Sequence, residues 1–323
     1  MDKTNQSRDK HVVDSGNQSQ CLSEALTGFI SSMQHFSTGD GPGIRSTIFF
    51  QGCNLNCVWC HNPETIPLQP VLLFYAQRCT DCGLCSAVCP ADAHKMEDGR
   101  HVYVRDACRQ CGHCVQQCPS DALCLSGLEM TAREVLDFIF EDIDFYRASG
   151  GGVTLSGGEP LLQADFCAHI ALNCKLKGVP VIIDTAGHVN YAAFEKLMPY
   201  TEHFYFDLKG PDPEAYTEKT GGSLSRSLEN LSRLVADGAG VTARIPIIPG
   251  YNDGKDDCLR LRELLIRTDV KSVHLLPYHR LGSSKYSAMG KPEYMRGVRP
   301  SPDKKLRELL TVFSSSFLAK IET

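Results

Sequence analysis

The sequence lacks any apolar run that approaches the roughly 18 to 20 residues needed to cross a bilayer. Its first 20 residues are rich in Asp, Ser, Asn and Gln, and they lack the apolar core of a signal peptide. These two absences argue against a membrane protein and against export. We therefore expect a soluble, cytoplasmic protein.

A basic block is also absent. The chain has 33 Lys and Arg residues against 38 Asp and Glu residues, a net charge of −5. No group of cations could follow a phosphate backbone or an anionic membrane surface. The charge pattern therefore excludes nucleic acid and membranes as expected partners.

Cysteine, by contrast, is abundant, with 16 residues in a chain of 323. The cytosol keeps thiols reduced, so thiols grouped at short spacing indicate metal ligands rather than disulfides. Eight of the 16 fall between Cys79 and Cys118, and three between Cys53 and Cys60. The other five stand alone, and we expect them to be ordinary thiols: Cys21, Cys124, Cys167, Cys174 and Cys258.

Composition divides the chain into three parts. Residues 1–27 are polar and predict a mobile tail. Residues 71–124 are rich in Gly, Pro and Cys, which is typical of a small module in which metal replaces much of the apolar core. We expect this module to be an insertion in a larger unit formed by residues 28–70 and 125–323.

The larger unit is predicted to be an α/β fold. After residue 131 helical and strand patterns alternate, which requires right-handed crossovers and a parallel sheet, either open or curled into a barrel. Thr131 and Glu134 have the spacing of a capping box and predict the start of a helix. Six strands are predicted, at residues 46–50, 152–156, 181–184, 203–207, 241–245 and 272–276. Polar side chains follow or end these strands, where α/β folds place their chemistry: Cys53, Ser156, Asp184, Asp207 and His279.

Cys53, Cys57 and Cys60 form a C-x3-C-x2-C motif in the loop after the first of these strands. Three thiolates can hold three irons of a [4Fe-4S] cube and leave the fourth iron open to a substrate. A zinc site completed by His61 is the alternative. Trp59, the only tryptophan, is expected to shield the metal.

Two further constellations repeat the C-x2-C-x2-C-x3-C-P run of bacterial ferredoxins, offset by 29 residues. In such modules the fourth cysteine of each run binds the other cluster. We therefore expect two [4Fe-4S] clusters that carry electrons, although a module in which the clusters only stabilise a scaffold is the alternative. The expected ligand sets are Cys79, Cys82, Cys85 and Cys118 for one cluster, and Cys108, Cys111, Cys114 and Cys89 for the other.

The first motif resembles the signature of the radical S-adenosylmethionine (SAM) superfamily. Its surroundings resemble one branch, the activating enzymes of glycyl radical enzymes, in the subgroup that carries a ferredoxin-like insert. The matching segments lie at residues 40–45, 60–63, 156–160, 184–185, 207–209 and 276–279. This resemblance implies a partial (β/α)6 radical SAM barrel with an inserted two-[4Fe-4S] ferredoxin-like module.

The resemblance also implies roles for particular residues around SAM. Gly157, Gly158 and Glu159 match the segment that holds the methionine amino group. Lys209 matches a lysine that meets the SAM carboxylate, and His279 a histidine near the ribose. Asp184, Thr185 and Asp207 match residues that form a monovalent cation site. Arg244 is expected to meet the SAM carboxylate as Lys209 does, unless it forms a salt bridge instead. Trp59 is the last residue of the expected cofactor pocket. No side chain is expected to act as a nucleophile or a general base.

The function that the resemblance implies is reductive cleavage of SAM to a 5′-deoxyadenosyl radical, which takes a hydrogen from a glycine of a partner glycyl radical enzyme. A flavodoxin-type or ferredoxin-type protein would supply electrons, under anaerobic conditions. One alternative is another radical SAM modifying enzyme or maturase, although such enzymes more often carry auxiliary clusters after the barrel. Another is a ferredoxin-type electron carrier, which leaves the three-cysteine motif unexplained.

Overall fold

The structure, a computed structural model, describes residues 26–322. The predicted tail at residues 1–27 lies outside the described residues except for its last two positions, and Cys21 lies outside them as well. Within the described part, no helix has the length and apolar character needed to cross a membrane.

The described residues form 13 strands and 11 α-helices. The strands are β1 (Thr27–Ser37), β2 (Arg45–Phe50), β3 (Val71–Phe74), β4 (His94–Glu97), β5 (Arg100–Tyr103), β6 (Leu123–Ser126), β7 (Leu128–Thr131), β8 (Gly152–Gly157), β9 (Val181–Thr185), β10 (His203–Asp207), β11 (Val241–Ile247), β12 (Ser272–Pro277) and β13 (Leu318–Ile321). The helices are α1 (Leu84–Val88), α2 (His113–Gln116), α3 (Ala132–Glu141), α4 (Ile143–Ser149), α5 (Ala164–Leu176), α6 (Ala192–Leu197), α7 (Pro213–Thr220), α8 (Leu224–Ala236), α9 (Lys255–Arg267), α10 (Ser283–Ala288) and α11 (Asp303–Ser314).

One nine-stranded sheet organises the chain, in the order β13-β12-β11-β10-β9-β8-β2-β1-β7. The strands from β2 to β13 in this order are all parallel, and β1 is antiparallel to both of its neighbours. All six predicted strands are present, and the prediction of an α/β fold with a mostly parallel sheet is confirmed. The parallel arrangement brings the carboxyl ends of these strands to one edge, so the loops that follow them meet there.

One face of the parallel strands is apolar and buried beneath the helices. Ile48, Leu155, Ile183 and Ile245 have no exposed surface and belong to one continuous core that also contains Leu231 of α8. Truncating such a side chain to Ala costs about 2–5 kcal/mol. This rigid core fixes the ends of the strands on which the candidate site is built.

The helix predicted after residue 131 begins where expected. The Thr131 hydroxyl accepts from the Glu134 amide (3.2 Å), and the Glu134 carboxylate accepts from the Thr131 amide (2.7 Å), which completes the capping box. The helical segment is interrupted at Asp142, whose carboxylate accepts from the Ser46 hydroxyl (2.8 Å) and pairs with His35 (2.6 Å). Tertiary hydrogen bonds therefore divide the predicted segment into α3 and α4.

Residues 71–126 contain a smaller arrangement built from two similar halves. β3 pairs with β6 and β4 pairs with β5, each pair antiparallel. Gly83 and Gly112, which are 29 residues apart, both precede a short helix with left-handed φ angles of 75° and 78°. The 29-residue sequence repeat is therefore also a structural repeat.

Candidate active site

The loop that follows β2 carries the C-x3-C-x2-C motif and is tied to other parts of the fold. Three of its backbone amides donate to carbonyls elsewhere in the chain: Cys53 to Ile66 (3.0 Å), Asn56 to Thr220 (2.7 Å) and Val58 to Lys219 (3.0 Å). The Tyr286 hydroxyl of α10 donates to the Cys60 carbonyl (3.0 Å). The three thiols are therefore presented by a loop that is held on several sides.

The three thiols lie in a buried environment that disfavours the free thiolate. Burial raises the pKa of Cys53 and of Cys60 to about 12, and it also raises the pKa of Cys57. The positive charge of Lys209 acts in the opposite direction on all three thiols. Because metal ligation requires the thiolate, a bound metal would supply the charge that burial withholds from these sulfurs.

Gly157 and Gly158 let the end of β8 lie directly against the cysteine loop. A Cβ at Gly158 would collide with the Gly52 carbonyl oxygen, and one at Gly157 with the backbone of Phe50. Gly157 also has a φ of +108°, which side chains rarely adopt. The amide of Glu159 donates to the Gly52 carbonyl (2.8 Å) and fastens the two segments together.

The Glu159 side chain is fully buried and bonded within the protein. Its carboxylate accepts from the Thr185 hydroxyl (2.8 Å) and from the amides of Ala186 (3.0 Å) and Leu161 (3.2 Å). Burial raises the pKa of Glu159 to about 7, against the opposing effect of these hydrogen bonds. Glu159 and Thr185 therefore hold the β8 and β9 ends together, and the Glu159 carboxylate is committed to bonds within the protein.

Two carboxylates and two cations meet at the ends of β9, β10 and β11. Asp184 accepts from the Ser156 hydroxyl (2.8 Å) and pairs with Arg244 (3.3 Å), while Asp207 pairs with Lys209 (2.9 Å). Burial raises the pKa of Asp184 to about 6, with Arg244 opposing and Asp207 adding to the rise. One oxygen of Asp207 is buried without a hydrogen-bond partner, which fits a site that a cation would complete.

Arg244 is held from two sides. It pairs with Asp184 and, through its Nε, with Glu322 (3.3 Å), which in turn lies 3.4 Å from His274. The structure thus places Arg244 in a salt-bridge network, the alternative that the sequence left open. Glu322 could not be anticipated from sequence patterns, because it follows β13, a strand of only four residues.

The aromatic residues of the motif region pack beside the loop. His61 stacks on His279 with ring centres 3.7 Å apart, and its Nε2 donates to the His279 carbonyl (2.8 Å). Trp59 is buried and packs against Tyr251 at 4.9 Å. Trp59 therefore covers the loop on one side, and one His61 nitrogen is committed to a backbone bond.

The eight cysteines of residues 79–118 collect in two groups of four, each around its own cavity. Cys79, Cys82, Cys85 and Cys118 line one cavity. Cys89, Cys108, Cys111 and Cys114 line the other. Each group takes three thiols from one sequence run and one from the other.

Residues 283–288 were not anticipated from the sequence, although they support the cysteine loop. Lys285 of α10 donates to Asn62 (2.7 Å) and to Glu64 (2.5 Å), just beyond the motif. A six-residue helix far along the chain carries no local signal of this contact. Only the tertiary fold brings it to the loop.

Comparison with known proteins gives the same picture as these motifs. Residues 47–262 match the model of the radical SAM superfamily. A radical SAM methyltransferase from Sphaerobacter thermophilus has a similar fold, with a TM-score of 0.53 at 13% identity over 96% of this chain and 82% of that one. The chain belongs to the radical SAM superfamily, whose members use a [4Fe-4S] cluster and SAM.

Similar proteins identify a narrower class for the chain within this superfamily. The benzylsuccinate synthase activating enzyme of Thauera aromatica is 40% identical over 300 residues, which cover 90% of this chain and 91% of the relative. The trans-4-hydroxy-L-proline dehydratase activating enzyme of Clostridioides difficile is 38% identical, over 92% of this chain and 99% of the relative. Within the superfamily the chain is one of the activating enzymes of glycyl radical enzymes, so the prediction of this class is confirmed and the electron-carrier alternative is not supported.

Proposed function

We propose that this activating enzyme carries three [4Fe-4S] clusters. Cys53, Cys57 and Cys60 hold one and leave an iron open for SAM. The other two occupy the cavities lined by Cys79, Cys82, Cys85 and Cys118, and by Cys89, Cys108, Cys111 and Cys114. The observation that carries this proposal is the exchange of the fourth cysteine between the two sequence runs, because it gives each cavity a complete set of four thiols.

The proposed division of the chain follows from these sites. Residues 28–70 and 125–323 form a partial radical SAM barrel, and residues 71–124 form the ferredoxin-like insert. The separate pairing of β3 with β6 and of β4 with β5 supports this division. A small apolar cluster around Leu72 and Leu123 gives the insert a core of its own.

The residues beside the open iron are proposed to bind SAM. Lys209 meets the carboxylate, the backbone at Gly157 and Gly158 meets the amino group, and His279 lies near the ribose. The burial of Lys209 next to Asp207 and Cys57 supports this role, because the negative charges of these neighbours outweigh burial and raise the pKa of Lys209. The unpartnered oxygen of Asp207, together with Asp184, fits a monovalent cation.

When bound, the cluster and SAM supply a 5′-deoxyadenosyl radical that removes a hydrogen from the glycine of the partner enzyme. The protein's own residues orient the cofactor and exclude water. Trp59 contributes to this exclusion because it is buried beside the cysteine loop. The carboxylate of Glu159 is bonded to Thr185 and to two backbone amides, so no base is proposed for the reaction.

The proposed partner is a glycyl radical enzyme, since the relatives at 33–40% identity are named for activating enzymes of this kind. Those names cover several different chemistries, so the similarity specifies the class of partner rather than its substrate. We propose a flavodoxin-type or ferredoxin-type electron donor, because Cys82 and Cys111 are exposed and put the two auxiliary sites within reach of another protein. Oxygen-sensitive clusters on reduced thiols also favour a cytoplasmic, anaerobic setting.

Counting iron and sulfide in anaerobically reconstituted protein tests the proposal. Three clusters require about 12 irons per chain. The matched variant with Cys53, Cys57 and Cys60 all changed to Ala should keep about eight. An iron content near four in the parent protein, or zinc in the insert, would contradict the assignment.

A further inference from the structure

The two halves of the insert differ at two equivalent positions of their strands. The 29-residue offset pairs Leu72 with His101 and Phe74 with Tyr103. Leu72 and Phe74 lie on β3, whereas His101 and Tyr103 lie on β5, the equivalent strand of the other half. Two apolar side chains of one half are therefore replaced by two hydrogen-bonding side chains in the other.

Both polar side chains lie next to the first cysteine of a run. His101 Nδ1 is 3.8 Å from Cys79 Sγ. Tyr103 packs with Cys108 against the small apolar cluster around Leu72 and Leu123, and burial together with a side-chain interaction with Cys108 raises the pKa of Tyr103. The residues at the corresponding positions, Leu72 and Phe74, have no group that could donate a hydrogen bond.

A neighbouring histidine determines which nitrogen of His101 carries a proton. His94 Nδ1 lies 2.9 Å from His101 Nε2, so one of these two nitrogens donates and the other accepts. A thiolate bound to iron can only accept, which requires the proton of neutral His101 on Nδ1 and leaves Nε2 as the acceptor. His94, which is buried at a position where the other half has Leu123, thus acts as a positioning residue for His101.

We infer that β5 supplies each proposed auxiliary cluster with its own side-chain hydrogen-bond donor, His101 for Cys79 and Tyr103 for Cys108, and that these donors set the two reduction potentials separately. The inference rests on the proposed function, because it requires the two auxiliary clusters. Hydrogen bonds to ligand sulfur raise the potential of an iron–sulfur cluster, since they stabilise the more negative reduced state. One donor is an imidazole nitrogen and the other a phenolic oxygen, so the two clusters are expected to differ in reduction potential despite the sequence repeat.

The sequence repeat provides conservative variants for the test. H101L and Y103F introduce the residue types that the other half already carries at the equivalent positions, so the insert should accept them. H101N is the matched control, because its side-chain amide offers an N–H close to the position of Nδ1. Each is made in the full chain that also carries C53A, C57A and C60A, so that only the auxiliary clusters give a spectrum.

The measurement is a potentiometric titration with dithionite, followed by electron paramagnetic resonance. H101L should make reduction of one cluster about tenfold less favourable, a shift of about 59 mV for a one-electron couple, and Y103F should do the same to the other cluster. H101N should restore most of the first shift. If the chain holds eight irons and the potentials are unchanged, or if each variant shifts both potentials equally, the inference is wrong and the proposed function stands. If the background chain lacks the auxiliary iron, both the proposed function and the inference are wrong.

Discussion

Lys209 Nζ lies 2.9 Å from Asp207 Oδ2, and this largely buried ion pair lies beside the thiol of Cys57. The ammonium group therefore stands between a carboxylate at the end of β10 and the proposed cluster ligands. Its positive charge stabilises negative charge on the Asp207 carboxylate and on the proposed cluster ligands. In the proposed function, this position lets Lys209 connect SAM binding and cluster ligation electrostatically.

Changing Lys209 to Met should weaken SAM binding by about tenfold or more, because a side chain of similar length remains but the charge is lost. Equilibrium dialysis of SAM with the reconstituted protein measures the effect. Lys219→Met, which removes a half-buried lysine that pairs with Glu218, is the control and should bind SAM like the parent. Parent-like affinity in K209M would show that another cation meets the SAM carboxylate.

Gly158→Ala should displace the cysteine loop, because the added methyl group collides with the Gly52 carbonyl oxygen. We expect loss of SAM cleavage and of the iron held by Cys53, Cys57 and Cys60, with the auxiliary iron retained. Gly39→Ala is the matched control, since a Cβ there meets nothing within 4 Å. Iron content and 5′-deoxyadenosine formation measure both variants, and full cleavage activity in G158A would contradict the close approach of the two segments.

The buried Glu159 should make the stability of the protein depend on pH. Its pKa in the folded state, about 7, lies above the ordinary value of 4.5, so the folded state holds a proton that the unfolded state has released between these values. Its contribution to stability therefore falls as the pH rises through this window and is constant above it. Glu159→Gln does not titrate at this position, so the free energy of unfolding of the parent should fall relative to that of the variant from pH 5.5 to pH 8, as measured by anaerobic urea unfolding. A difference that is the same at both pH values would mean that Glu159 is already ionised at pH 5.5.

The strands that carry the site could be predicted from the sequence because their apolar runs are short, rich in β-branched residues and regularly spaced. β9 and β10 end at Thr185 and Asp207, close to the residues expected from the pattern. Local patterns could not reveal the contacts that complete the site. Glu322 reaches Arg244 from the last described strand, and Lys285 reaches Glu64 from a short helix, so both depend on the tertiary fold.

The roles of individual side chains were harder to predict than their positions. Glu159 stands at the end of β8 as expected, but its carboxylate faces Thr185 and the amide of Ala186. A sequence motif records that a glutamate is needed, and it does not record which atoms face a ligand. The difference between His101 and Leu72 was visible in the 29-residue repeat, but its meaning required the distance to Cys79.

Single cysteine changes should separate the reactive cluster from the auxiliary ones. Cys57→Ala should abolish SAM cleavage even with a strong chemical reductant, because the open iron is lost. Cys82→Ala, in the exposed part of the insert, should impair an auxiliary cluster and slow reduction without removing the iron that binds SAM. Formation of 5′-deoxyadenosine is measured for both variants. Cleavage that survives in C57A would refute the assignment of the open iron to this loop.

The product radical should form on another polypeptide rather than on a small molecule. The loops at the carboxyl ends of the parallel strands hold the cysteine motif, the glycines of β8 and Lys209, and the sheet is open, with β7 and β13 as its edge strands. An open sheet leaves a lateral entrance that a peptide loop can use. The partner's glycine must leave its own buried site to enter, so complex formation should depend on the mobility of that loop.

Anaerobic electron paramagnetic resonance on a mixture of this protein, a cognate glycyl radical enzyme, SAM and reductant should show the doublet of a glycine radical. Deuterium at the Cα of that glycine should pass into 5′-deoxyadenosine, because the hydrogen removed from the glycine is the one that the 5′-carbon acquires. The C57A variant is the control and should give neither signal. Deuterium that arrives instead from a small molecule, with no partner present, would identify a different radical SAM reaction, since only direct abstraction transfers the label.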